Sequence, residues 1–114
     1  MKGPEAGKYD RRIQFLMSSE VDDGVSVKQI WVNKGPRYWA NVKEFAATET
    51  QESGQVQATI QTRFTVRRNE FTASISPLDR ISYDGKIYDI TGRMETGTFR
   101  LAEIQFAATA RNDL

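Results

Sequence analysis

The sequence predicts an all-β protein, a small antiparallel β-barrel or sandwich of about six to seven strands with a long polar loop between residues 44 and 57. Three observations predict it. Apolar residues recur at every second position in one run after another, the pattern of strands with one buried face. Glycine-bearing turn signals separate the runs. No stretch carries the 3.6-residue apolar stripe of an amphipathic helix. At 114 residues the chain has room for one core. Residues 9–110 are the expected domain, between a flexible N-terminal arm over 1–8 and a C-terminal tail over 111–114.

The elements follow in order. Residues 12–18 (RIQFLMS) alternate Ile13, Phe15 and Met17, and the run ends at Asp22-Asp23-Gly24, where a glycine able to take positive φ suits a turn. Residues 26–32 (SVKQIWV) return as a second strand carrying Trp31, so the chain opens with a hairpin. Asn33-Lys34-Gly35-Pro36 is a loop by composition, and residues 37–45 resume as a third strand. Tyr38, Ala40 and Val42 share one face of it, and Trp39, Asn41 and Lys43 the other; each face holds a ring, so the pattern leaves the inward side open. The stretch 42–53 tolerates helix at Glu44, Ala46, Ala47, Glu49 and Gln51, but no apolar stripe continues past Ala47, and a loop with at most a turn or two of helix is expected.

Residues 57–68 then set Ala58, Ile60, Phe64 and Val66 against Thr59, Gln61, Arg63, Thr65 and Arg67, a long strand with one wet face. Residues 69–77 are a connection or edge, because Ser76-Pro77 denies a sheet ladder one donor. In residues 81–90 (ISYDGKIYDI), Asp84-Gly85 is the two-residue loop of a type I′ hairpin. That register opposes Tyr83 to Lys86, Ser82 to Ile87 and Ile81 to Tyr88, and places Ile81, Tyr83, Tyr88 and Ile90 on the core side. Residues 100–110 alternate Ala102, Ile104, Phe106 and Ala108 with Glu103, Gln105 and Thr109, and close the domain as a seventh strand.

Composition removes several functions. A net charge of +1 gives no broad field to hold nucleic acid or an anionic membrane. The chain has no cysteine and no histidine, which removes disulfides, thiolate nucleophiles, Ser-His triads and zinc sites built on those ligands. No apolar run is long enough to span a bilayer and no export signal opens the chain, so the expectation is a soluble, unexported protein without membrane contact. No cofactor, metal or catalytic residue is expected.

Four groups of residues stand out. Glu44, Glu49 and Glu52 could form a carboxylate pair for glycoside chemistry, yet nothing in a polar loop would hold them rigid, and solvation is the simpler reading. Asp22-Asp23-Gly24 lacks the ligand spacing of a calcium loop and reads as a turn. Arg63 and Arg67 share a strand face with Thr59, Gln61 and Thr65, as in barrels that track a phosphate backbone, although Trp39 is the one aromatic near enough to stack a base. Finally, Trp31, Tyr38, Trp39, Phe45, Phe64, Phe71, Phe99 and Phe106 are more rings than a small core needs, which suggests contacts between subunits. Phe71, in a polar connection, is the ring most expected at an interface.

The ordered set of motifs resembles the bacteriophage head-tail joining proteins, also called head closure, connector or stopper proteins. YDRRIQFL, the strand with IWV, RYWANVKEF, a polar loop, QATIQTRFTVRR, SPLDRI, YDGKIYDI and a last β-run carry the likeness across residues 9–110. The resemblance implies a barrel that assembles as a homo-oligomeric ring, a hexamer, in the virion neck of a long-tailed phage, built in the host cytoplasm. Its partners would be a portal-bound adaptor, the tail terminator or tail tube, and DNA passing without sequence-specific binding. It implies no enzyme and no cofactor. Glu44, Glu49, Gln51, Glu52 and Gln55 would then lie on a loop toward the channel or a neighbouring subunit, with Trp39, Arg63, Arg67 and Phe71 at protein interfaces. A rival of another class is a monomeric OB-like barrel that binds nucleic acid or oligosaccharide.

Overall fold

Six strands form instead of seven, because the runs on either side of Lys34-Gly35-Pro36 are one strand. The computed structural model describes residues 8–111 apart from 51 and 55, with the backbone alone for 47–50 and 57–59. The flexible arm expected over 1–8 and the tail over 111–114 therefore lie outside the described residues, save Lys8 and Arg111. The elements are β1 (Arg11–Asp22), β2 (Val27–Thr50), β3 (Val56–Arg67), α1 (Glu70–Ala73), β4 (Arg80–Tyr83), β5 (Lys86–Thr96), a 3-10 turn (Phe99–Leu101) and β6 (Glu103–Ala110). All pairings are antiparallel, and the order β1-β2-β3-β6-β5-β4 closes on itself as a barrel.

The bend that allows closure sits where the sequence suggests a loop. β2 has 24 residues, a straight reach of roughly 80 Å, whereas the molecule is 55 Å in its longest dimension. Between the pairs Gln14–Arg37 and Leu16–Asn33, Phe15 alone faces Lys34, Gly35 and Pro36, a bulge that turns the strand. Gly35 takes φ +70 there, and the Gln14 side-chain amide donates to the Gly35 carbonyl at 3.0 Å. β1 then meets β4 over three pairs, Gln14–Ser82, Phe15–Ile81 and Leu16–Arg80, which shut the wall.

The inward face left open by the sequence is that of Tyr38, Ala40 and Val42; Trp39 faces out. The barrel is filled by Ile13, Phe15, Phe64, Val66, Ile81, Ile90, Ile104 and Phe106, as expected of so few strands. At one mouth the 69–79 connection is a plug. Asn69 caps α1 by accepting from the Thr72 N–H at 2.8 Å, Ile75 and Thr72 are fully buried, and Asp79 accepts from the Ser76 N–H and from Lys34 Nζ, each at 3.0 Å. At the other mouth Phe64 meets Tyr83 and Tyr88 edge-on, with ring centroids 5.7 and 5.0 Å apart. Among the described residues, packed side chains fill the barrel axis.

The β4–β5 hairpin follows the expected register pair for pair, and positive φ at both Asp84 and Gly85 matches a type I′ turn. The last strand begins at Glu103, three residues later than the sequence suggests, because Phe99–Leu101 coil into the 3-10 turn. β5 in turn runs on to Thr96, pairing β6 through a bulge between Ile90 and Gly92.

Candidate functional site

The polar loop expected over residues 44–57 is instead a hairpin: β2 and β3 stay paired from Asn41–Thr65 out to Thr50–Val56. β-Branched Thr48, Thr50 and Val56 suit extended backbone, and the missing apolar face has a simple cause. β1 leaves β2 at Ala40 and β6 leaves β3 at Thr62, so the outer part has no core to cover. A two-stranded ribbon thus projects from the barrel mouth. Ala46, Val56 and Ile60 are exposed on it, Ile60 by 65%. Its residues 44–62 hold three glutamates and no Lys or Arg. Glu44 stands at the root. Burial, and next the Glu44 charge, push the Tyr88 hydroxyl above its usual pKa, which places that carboxylate by the barrel mouth. Glu49 lies in β2 opposite Gln57, and Glu52 is exposed at the tip. Gln51 and Gln55 lie outside the described residues.

A second ribbon leaves the opposite mouth, where β1 and β2 continue as a pair from Met17–Val32 to Asp22–Val27. Asp23 closes its tip by accepting from the Val25 and Ser26 N–H groups at 2.9 and 2.8 Å. Met17, Val21 and Ile30 are exposed on one side of it. The sequence signals for this hairpin are plain, but alternation cannot tell a face turned to the core from one that has run past it.

The expected interface residues are already engaged within the chain. Trp39 is 52% exposed with the Arg12 guanidinium 4.7 Å from its ring centroid. Arg63 lies 4.2 Å over Phe45, at the root of the first ribbon, beside Lys43 and Lys8. Arg67 lies 5.0 Å over Tyr9. Phe71, the ring most expected outside, is half-buried and stacks on Tyr38 with centroids 5.3 Å apart and planes 10° from parallel. Its place as a plug escapes the sequence, since α1 has only 4 residues and too little length to show a period. The freely exposed ring is Phe99, at 97%.

Around Tyr9 the wall carries a small ionic cluster. Glu103 is paired with Lys8 at 2.8 Å and accepts from the Tyr9 hydroxyl. Burial pushes its carboxyl up, but hydrogen bonds from Lys8 and Tyr9 and the charges of Lys8 and Arg67 outweigh this and hold its pKa below 4.5. A depressed carboxylate stabilises the fold above its ordinary pKa and loses that contribution as pH falls through the lower folded value. Glu103→Gln is therefore expected to melt below the wild type at neutral pH, and the gap should close as pH falls through the carboxylate range in a thermal-melt series.

No group of three or more His, Cys, Asp or Glu that could hold a metal occurs among the described residues, and no described helix is long and apolar enough to cross a membrane. Residues 4–110 match the family profile described as phage head completion protein. The chain belongs to that family. Phage head completion proteins are structural components of the virion, with a role where the head meets the neck. The fold has a solved counterpart as well: a chain of the virion of a native gene transfer agent particle superposes with a TM-score of 0.60 at 20% identity, over 87% of this chain and 91% of that one. Comparison with curated protein sequences finds no match.

Proposed function

We propose that this head completion protein works as a ring, hexameric by its resemblance to head closure proteins, that joins the portal-bound adaptor to the tail and helps retain packaged DNA. The observation that carries the reading is a filled, closed barrel bearing two unsupported ribbons. Since a barrel has no free sheet edge, the ribbons hold the main exposed edges of the chain, and such edges are commonly covered in an assembly. Because the barrel itself is packed shut, a channel for DNA has to lie between copies. The ribbon over 44–61 suits its border: carboxylates without cations repel phosphates, where a lining of arginines would hold them by counterion release.

Heads made without this chain are expected to package DNA, then lose it and fail to join tails, until purified protein is added. Full heads that join tails without it would end the reading. An isolated two-stranded ribbon is marginal in water, so amides over 44–61 are expected to exchange rapidly in the free protein and slowly in assembled particles.

One observation favours the rival, a monomeric nucleic-acid-binding barrel: exposed Trp39 shares an outward face with Arg12 and Arg37. Titration of labelled single-stranded DNA at two salt concentrations separates the readings. Tight binding with a steep salt slope that is lost in Arg12→Ala/Arg37→Ala would support the rival.

A further inference from the structure

The β5–β6 connection holds an aromatic side chain out from the body. Phe99 is 97% exposed at φ +52, a conformation that strains a bulky residue and often marks a functional position. The turn around it is braced. Gly97, at φ +76, approaches the Leu101 carbonyl so closely that an added Cβ would lie 2.2 Å from its oxygen. The Leu101 N–H donates to the Thr98 carbonyl and the Arg68 N–H to the Ala102 carbonyl, each at 3.0 Å. Leu101 and Met94 are exposed as well, by 59% and 54%. Arg100 follows the ring, and Arg68 and Arg93 share the single carboxylate of Glu95, so the surroundings of the knob are basic.

Another flank of the barrel carries the complementary shape. A cleft of about 470 Å³ opens between the β1–β2 ribbon and the 77–80 connection, lined by Pro77, Leu78 and Trp31, with the Arg80 guanidinium 3.8 Å over the Trp31 ring and paired with Asp89. Leu78 is 84% exposed. The pairs Ser18–Trp31, Glu20–Gln29 and Asp22–Val27 share one side of the ribbon, so the cleft continues onto an acidic rim of Glu20 and Asp22.

We infer that Phe99 of one copy seats in the Trp31–Leu78 cleft of the next, with Arg100 against Glu20 and Asp22. The inference rests on the ring reading above and names its contact. The aromatic knob packs on Leu78, Pro77 and the Arg80–Trp31 stack, and the basic collar meets the acidic rim. The two patches occupy different flanks, so the contact is head-to-tail and repeats from copy to copy instead of ending at a two-fold pair.

The chain has no cysteine, which gives a clean test. Phe99→Cys/Leu78→Cys is treated with a short bis-maleimide over a range of protein concentrations, beside each single variant and with native mass spectrometry of the wild type. A ladder of cross-linked oligomers from the double variant, with no ladder from either single, is the expected result. No ladder, with a wild type that nevertheless forms oligomers, overturns this contact and leaves the ring standing. No ladder and a wild type that stays monomeric at the highest concentration overturns the contact and counts against self-assembly of the free chain; tail joining by purified protein, as above, then judges the ring separately. Phe99→Gly gives a second readout. It relieves the backbone strain, so melting should hold or rise, while self-association weakens about tenfold or more, the loss of a central aromatic anchor. A purely structural Phe99 would leave association unmoved.

Discussion

Replacing Gly35 by alanine is expected to destabilise the protein by about 3 kcal/mol, the sum of a left-handed backbone penalty and overpacking. For a domain of this size that lowers the melting midpoint by roughly 10 °C. Gly35 sits at φ +70, and a Cβ there would lie 2.3 Å from Phe71 Cζ and 2.5 Å from Cε1. Neither partner can easily yield. Phe71 is stacked on Tyr38 and touches Phe15 at a centroid distance of 6.2 Å, and the bulge is held by Gln14 and by the Lys34–Asp79 pair. Bulge and plug thus act as one unit. In a double-mutant cycle, Gly35→Ala with Phe71→Ala should cost less than the sum of the singles by about 1 kcal/mol or more. Strict additivity in thermal or denaturant unfolding would mean that the ring does not hold the bulge.

Shortening the acidic ribbon should have the opposite profile, a small effect on folding and a complete one on function. Replacing residues 48–58 by Asn-Gly, a two-residue hairpin turn, removes strand that pairs only with itself. Stability is expected to change by no more than about 0.5 kcal/mol, the usual range for surface changes away from the core. Particles supplied with the shortened chain should nevertheless leak DNA or fail to join tails, as if the chain were absent. Collapse of the barrel on shortening would show that the ribbon supports the fold; undiminished assembly would show that it has no part in the neck.

The strands were legible where local chemistry decides them. Asp84-Gly85 demands its turn and thereby sets the register of Ile81–Tyr88, and Phe64, Val66, Ile104 and Phe106 alternate strictly because both neighbours of each strand bury the same face. Legibility failed where the deciding contact is distant in sequence. Lys34-Gly35-Pro36 has the composition of a loop, and only the pairing of Gln14 and Leu16 across it makes it a bulge. Residues 44–57 have the polarity of a loop because a ribbon beyond the barrel needs no apolar face. Phe71 and Phe99 look alike in sequence, each in a polar connection, yet one plugs the barrel and the other faces solvent. Arg63 and Arg67 stand out by their shared face, but nothing in the sequence pairs them with the rings of Phe45 and Tyr9 beneath them.

The central claim, that copies of this chain encircle the DNA path with the acidic ribbon at its border, is tested most directly by a residue-resolution reconstruction of the neck of assembled particles. The expected map has a closed ring of these barrels below the portal-bound adaptor, with residues 44–61 of every copy turned toward the axis. A map with a single copy, or with the ribbons turned outward to solvent and a border built by another protein, would contradict it.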